Sequence, residues 1–180
     1  MQTYWLLKAY KGKPQNGFNR INLVTYRRGR KFLSAVISNL LTRADKHDAS
    51  KLVDPEKEIF DTYTPLLKNS TYGSEEYNSF LAGMKPALDH HYKHNSHHPE
   101  FYAYDYFLGT INPEFVANGS AVRSMSLLDL IEMLCDWKAA TLRHTDGDLL
   151  KSVEINQKRF GYSDELKSIL LATIVELNLA

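Results

Sequence analysis

Five of the seven histidines fall within nine positions, in the stretch Asp89-His90-His91-Tyr92-Lys93-His94-Asn95-Ser96-His97-His98-Pro99-Glu100. Imidazole is the commonest protein metal ligand and titrates near neutral pH, so such a cluster points to a metal site or to proton transfer. On a continuing helix, about 100° per residue puts His90, His94 and His97 within an arc of about 60°, where they could serve one site. His91 and His98 would lie to one side, and Pro99 marks a new turn or the first residue of the next helix. A fortuitous, exposed histidine tract is the plainer alternative. Matching acids elsewhere in the chain favour the functional one.

Those acids lie in two places. Asp45-Lys46-His47-Asp48-Ala49-Ser50-Lys51 sets a histidine beside an aspartate. Adjacent side chains on a helix diverge, so this pair converges only where the backbone turns or where two metals share the aspartate. A helix-end cap is the bland reading, because Asp and Ser are frequent at such ends. Later, Asp129, Glu132, Asp136 and Arg143 cluster on one side of a helix expected over 126–144, opposite an apolar stripe of Leu127, Leu130, Ile131, Leu134, Cys135 and Leu142. The acidic side also carries Met133 and Ala140 and is flanked by Trp137, which suits a lined cleft as well as a solvated face. Asp129 could instead close a capping box with Ser126.

The elements that position these groups read as helices. Residues 1–19 read as an irregular N-terminal arm, and 20–180 as one all-α domain, a helical bundle. Ile21, Val24, Leu33, Val36, Ile37, Leu40 and Leu41 recur at helical spacing over about 20–43, as one long helix or a broken pair. Asp54-Pro55-Glu56 starts the next helix, in which Glu58 either supports a site or complements the helix N-terminus. Gly73-Ser74-Glu75-Glu76 starts the helix that leads into the histidines, with Pro86 able to kink it. Phe101 to Phe107 is aromatic and either walls a pocket or packs as core, with core favoured, and 109–123 reads as a loop with room for one short turn. Helices are expected over 149–160 and from Ser163 to about 177. Strand signals are almost absent.

Composition narrows the functional classes. The chain has 43% hydrophobic and 24% charged residues and a net charge of +1, a globular composition with no general pull towards nucleic acid or membrane. The run Arg27-Arg28-Gly29-Arg30-Lys31 reads better as a solvated helix face than as a phosphate contact. The single cysteine, Cys135, removes any cysteine-based zinc site and any internal disulfide, which fits a reducing compartment. No apolar run approaches the roughly 20 residues needed to span a bilayer, and the N-terminus lacks a signal-peptide layout. The location expected is cytoplasmic.

His47-Asp48-x-Ser-Lys51, the run from Ala87 to Glu100, and Met125-Ser-Leu-Leu-Asp-Leu-Ile-Glu-Met-Leu-Cys-Asp-Trp-Lys-Ala-Ala140 together resemble an uncharacterised family of small bacterial and phage proteins, over about residues 30–175. That family carries no activity over. More distantly, a His-Asp pair after a first helix, histidines mid-chain and a late helical aspartate look like the HD-domain metal-dependent phosphohydrolases. This second resemblance implies an HD-like fold, His47, Asp48 and Asp136 as metal ligands, and Lys51 as a phosphate contact. It also implies self-association, since such enzymes are often oligomers. One departure stands out: the HD pattern has a further histidine in the first helix, and none precedes His47 here, so either His90 or His94 supplies that ligand or the metal site is altered or lost.

The expectation is a metal-dependent phosphohydrolase acting on a nucleotide or similar small phosphate ester. His47, Asp48, His90, His91, His94, Asp129, Glu132 and Asp136 are the candidate ligands for Mn²⁺, Fe²⁺, Co²⁺ or Zn²⁺, with Mg²⁺ as an alternative. Asp48 would orient the nucleophile. Lys51, Lys93 or Arg143 would neutralise charge on the phosphoryl oxygens, and His94 or His98 would protonate the leaving group. The competing expectation is a non-catalytic binder of nucleotide or partner that retains a degenerate site; a third is a structural phage or host-interaction protein. A P-loop motor and Ser or Cys nucleophile schemes find no support.

Overall fold

The computed structural model describes residues 20–70, 74–142 and 147–179, with side chains from Arg27 onward. The arm expected at 1–19 and Arg143 lie outside these residues. Chain contacts divide the protein into Met1–Leu41 and Thr42–Ala180, a boundary that falls inside the first helix.

That helix, α1 (Arg20–Lys46), is continuous over 27 residues rather than a broken pair. In the first unit, Arg27 to Lys31 form a solvated helix face as expected. Leu33, Ile37 and Leu41 are also exposed, so their spacing does not mark a buried side. Thr42–Lys46 belongs to the second unit and leads into a 3₁₀ turn, Ala49–Leu52.

The second unit continues all-α. It contains α2 (Glu56–Asn69), α3 (Glu75–His94) and α4 (Pro99–Tyr102). A hairpin of two residues per strand follows, β1 (Tyr104–Asp105) and β2 (Thr110–Ile111), paired Tyr104 to Ile111. Then come α5 (Pro113–Ala117), α6 (Ser120–Arg123), α7 (Leu127–Thr141), α8 (Leu149–Phe160) and α9 (Asp164–Glu176). Ser74, Ser126, Asp148 and Ser163 each cap a helix by accepting from a backbone N–H three residues on. α2 starts at Glu56 with Pro55 in the cap position, one residue later than its sequence suggested.

Two expectations change. Residues 109–123 are not a loop: Asn112 and Pro113 open α5, and Gly119 precedes α6. Asn-Pro and Asn-Gly are turn signals that also serve as helix starts. The aromatic run splits. Ala103 enters the core with Tyr102 packed against it, whereas Tyr106 and Phe107 sit at the hairpin tip, 75% and 102% exposed. Tyr104, Tyr106 and Phe107 help to wall a cavity of about 360 Å³.

The core lies among α6 to α9, built on Ala121, Val122, Met133, Leu149, Val153, Phe160 and Ile174. Trp137 stacks on Phe160 with ring planes 3° apart. These contacts fix the rotation of α7, and the fixed side is not the whole predicted stripe. Met133 and Asp129 are buried, while Leu127, Cys135 and Leu142 face outward. The acidic side of α7 therefore faces inward, towards the histidines.

Candidate metal centre

Asp48 brings the parts together. After α1 ends, its backbone enters the left-handed region, at φ 56° and ψ 17°. Aspartate tolerates that conformation better than most residues. The turn swings the Asp48 carboxylate round to the same point as the His47 ring. His47 Nε2 lies 3.5 Å from Asp48 Oδ2 and 3.6 Å from Asp136 Oδ1.

The histidine run reaches the same point in two pieces. α3 ends at His94 with Asn95 as its cap, and α4 restarts at Pro99. His91, on the last turn of α3, is buried and places Nε2 3.2 Å from Asp48 Oδ1. His97 and His98 come from the connecting turn. His97 Nε2 is 3.5 Å from Asp48 Oδ1, and His98 Nε2 is 3.0 Å from His91 Nε2. Three sets of donor atoms, each within 4.8 Å of one another, result: Asp48 with His91, His97 and His98; His47 with Asp48 and Asp136; and His47 with His97 and Glu132.

The surrounding carboxylates orient the rings. Glu56 is fully buried and takes His91 Nδ1 at 2.9 Å, His90 Nδ1 at 2.7 Å and the Ser50 hydroxyl at 2.9 Å. With its Nδ1–H given to Glu56, His91 turns Nε2 to the centre. Glu132 does the same for His47, whose Nδ1 donates to it at 2.9 Å, and lies 3.3 Å from His97 Nδ1. Arg43 Nε donates to the other oxygen of Glu132 at 2.7 Å. Glu132 therefore acts from the far side of both imidazoles.

Two atoms at the meeting point, Asp48 Oδ1 and His97 Nε2, are buried and make no hydrogen bond. A buried carboxylate oxygen and a buried ring nitrogen left in this way each cost free energy. A divalent cation between them would satisfy both, and the imidazole and carboxylate donors fit one of the Mn²⁺ to Zn²⁺ series.

The electrostatics are those of a site poised between cation and proton. Asp136, and then Glu132 and Asp48, raise the His47 imidazolium to about 9 despite partial burial. Burial pushes the Asp48 carboxyl up, but His91 and Lys51 outweigh it and hold it well below the ordinary range. Lys51 Nζ sits 2.5 Å from Asp48 Oδ2. Burial lowers His97. It lowers His98 further, helped by the neighbouring His97 and His91, so both rings favour the neutral form that a metal needs.

Several expected ligands lie elsewhere. His90 is tied to Glu56, and His94 is exposed, stacked on His90, with Nδ1 donating to the His90 carbonyl. The arc joining them to His97 fails because the helix stops at His94. Asp129 is saturated by Ser96, Tyr102, Ser126 and Arg43, and completes the capping box. Its oxygens are already committed. Lys93 Nζ lies over the Tyr104 ring, 4.8 Å from its centroid. Glu58 is exposed on α2.

The structure also brings in residues not named above as metal ligands. His97, expected to share a site with His90 and His94, and His98, expected as a proton donor, both join the ligand set around Asp48. Glu56 looked like an ordinary first-turn acid. Arg43 gave no signal within its long helix.

The sequence model of a family of unknown function, DUF5662, matches residues 24–176, which takes in every residue of the centre. The chain belongs to that family. No curated protein and no solved structure matches it. Membership of a family of unknown function brings no activity with it.

Proposed function

We propose that this DUF5662 protein is a metal-dependent phosphohydrolase acting on a nucleotide or a similar small phosphate ester. The observation that carries the proposal is the pair of buried, unpartnered acceptors, Asp48 Oδ1 and His97 Nε2, at the meeting of three histidine and carboxylate sets. The distant HD-domain likeness supports it. The three ligands it implies, His47, Asp48 and Asp136, form one of those sets. In place of the first-helix histidine of the HD pattern, the ligand would come from His91, His97 and His98, which approach Asp48 from the middle of the chain, rather than from His90 or His94.

Asp48, His91, His97 and His98 would hold one ion, and Asp48 with His47 and Asp136 are placed for the same or an adjacent one. A bound divalent ion supplies Lewis acidity towards a phosphoryl oxygen and lowers the pKa of coordinated water. The chain's own groups do the rest. Glu56 and Glu132 hold the Nδ1 protons of His91 and His47, which keeps each Nε2 directed inward. Burial of His91, His97 and Pro99 keeps bulk water from that side. Lys51, beside Asp48 and 5.6 Å from the Phe60 ring, is placed to neutralise charge on a phosphoryl oxygen.

Phosphate release across nucleoside mono-, di- and triphosphates with Mn²⁺, Co²⁺, Zn²⁺ or Mg²⁺ tests the proposal. Metal-dependent turnover is expected in the wild type, with a loss of at least about a hundredfold in Asp48→Asn. No release with any metal would rule the hydrolase out and leave a binding protein.

A further inference from the structure

Glu100, Tyr92 and Arg159 form a second polar cluster, next to the His98 ring through Tyr92, that the metal centre does not use. Glu100 opens α4 and is buried, yet its Oε1 accepts from Arg159 Nη2 at 2.6 Å. The Arg159 side chain, from the last turn of α8, is 52% exposed and packs over the Phe160 ring at 4.6 Å. Nη2 also lies 3.5 Å from the Tyr92 hydroxyl. Among the described residues, Arg159 Nε and Nη1 have no hydrogen-bond partner. Glu100 Oε2 is buried without one.

An arginine–carboxylate pair formed for stability alone gains most when two parallel N–H bonds meet both oxygens. Here a single nitrogen takes one oxygen, and the side chain is about half exposed. A stacked ring and a buried counter-charge limit the rotamers of the guanidinium, which lessens the entropy lost when it binds a ligand.

The cluster borders the metal centre. Tyr92 separates the two: its ring centroid is 5.0 Å from that of His98 and 6.1 Å from that of His91. A phosphoryl group arriving there meets the carboxylates of Asp48, Asp136 and Glu132, so it needs a fixed cation close by. Lys51, beside Asp48, supplies one such cation, and Lys93 lies over tyrosine rings. Arg159 has both charge and open donors.

We propose that Arg159, held by Glu100 and Tyr92, is an anion subsite that binds phosphoryl oxygens beside the metal centre. Its part in hydrolysis rests on the reading above; its affinity for a phosphate or pyrophosphate anion does not. The fork geometry suits two oxygens of one phosphoryl group, a demand that lysine meets poorly.

Calorimetric titration of the full chain with inorganic phosphate and with pyrophosphate, with and without Mn²⁺, tests this. Wild type is expected to bind pyrophosphate. Arg159→Gln should weaken binding at least about tenfold and Arg159→Lys by less, with Mn²⁺ affinity unchanged in both. Arg159→Lys keeps a cation on Glu100 and stays informative if Arg159→Gln unfolds. Equal affinity in Arg159→Lys and wild type would overturn the proposal, as would equal affinity in Arg159→Gln or no anion binding to wild type. Anion binding without phosphate release under any metal would leave the subsite standing and remove the hydrolase. Phosphate release with an unchanged KM in Arg159→Gln would do the reverse.

Discussion

Asp48 does what an adjacent His-Asp pair on a regular helix cannot. Its left-handed backbone lets one carboxylate face His91 and His97 with Oδ1, and His47 and Lys51 with Oδ2. Glu56 is the matching device behind the histidines. Replacing it with glutamine exchanges one of its two acceptor oxygens for a donor, which faces imidazole N–H groups. Metal affinity in Glu56→Gln should therefore fall by about 10- to 100-fold, the range for such supporting carboxylates. Equilibrium dialysis against Mn²⁺ or Zn²⁺ reads this, and wild-type affinity in the variant would refute the role. His47 sets a pH dependence at the same scale. Its pKa is raised from 6.5 to about 9, so the imidazolium stabilises the metal-free protein fully below 6.5, and that stabilisation is lost as pH rises through about 9. A metal must displace the same proton. Metal affinity should thus climb about tenfold per pH unit between 6.5 and 9 wherever His47 is a ligand, and a flat profile over that window would exclude it from the centre.

At the scale of elements, local signals were legible and orientation was not. Ser74, Ser126 and Ser163 at helix starts need only their neighbours in sequence and are found there, and of the two readings of Pro99 the structure takes the first helical residue. The face that α7 buries depends on Trp137 meeting Phe160 and on Arg43 drawing in Asp129 and Glu132, partners distant in the chain. The apolar stripe of Leu127, Cys135 and Leu142 could not reveal that. The same holds for Glu56, whose burial is decided by α3. Element joints carry a testable cost too. Gly161 ends α8 at φ 60°, and a Cβ there would lie 2.0 Å from the Ala117 carbonyl oxygen. Gly161→Ala combines left-handed strain with a backbone clash and should destabilise the fold by about 2 kcal/mol or more in urea unfolding. Because Phe160 and Tyr162 flank it in the core, a change well under 1 kcal/mol would mean that this joint relaxes freely.

For the molecule as a whole, the centre joins segments that the core does not. The apolar core lies among α6 to α9, whereas Asp48, Glu56, His91 and His97 come from the first half of the second unit. These residues bury charge and imidazole where an ordinary core buries methyl groups, so this half relies on polar groups whose satisfaction a cation would complete. A ligand that binds the folded chain and not the unfolded one adds stability by mass action, about 2.7 kcal/mol at a hundred times its Kd. For a chain of this length that is a rise in Tm of about 5–10 °C. Thermal unfolding should therefore shift upward by that amount with saturating Mn²⁺ or Zn²⁺ and return on chelation. Asp48→Asn, which removes one charged oxygen shared by two ligand sets, should abolish the shift while leaving the α6 to α9 core intact. An equal shift in wild type and Asp48→Asn would place the stabilising metal elsewhere on the chain, and the stacked pair of half-buried His90 and exposed His94 would be the first place to look.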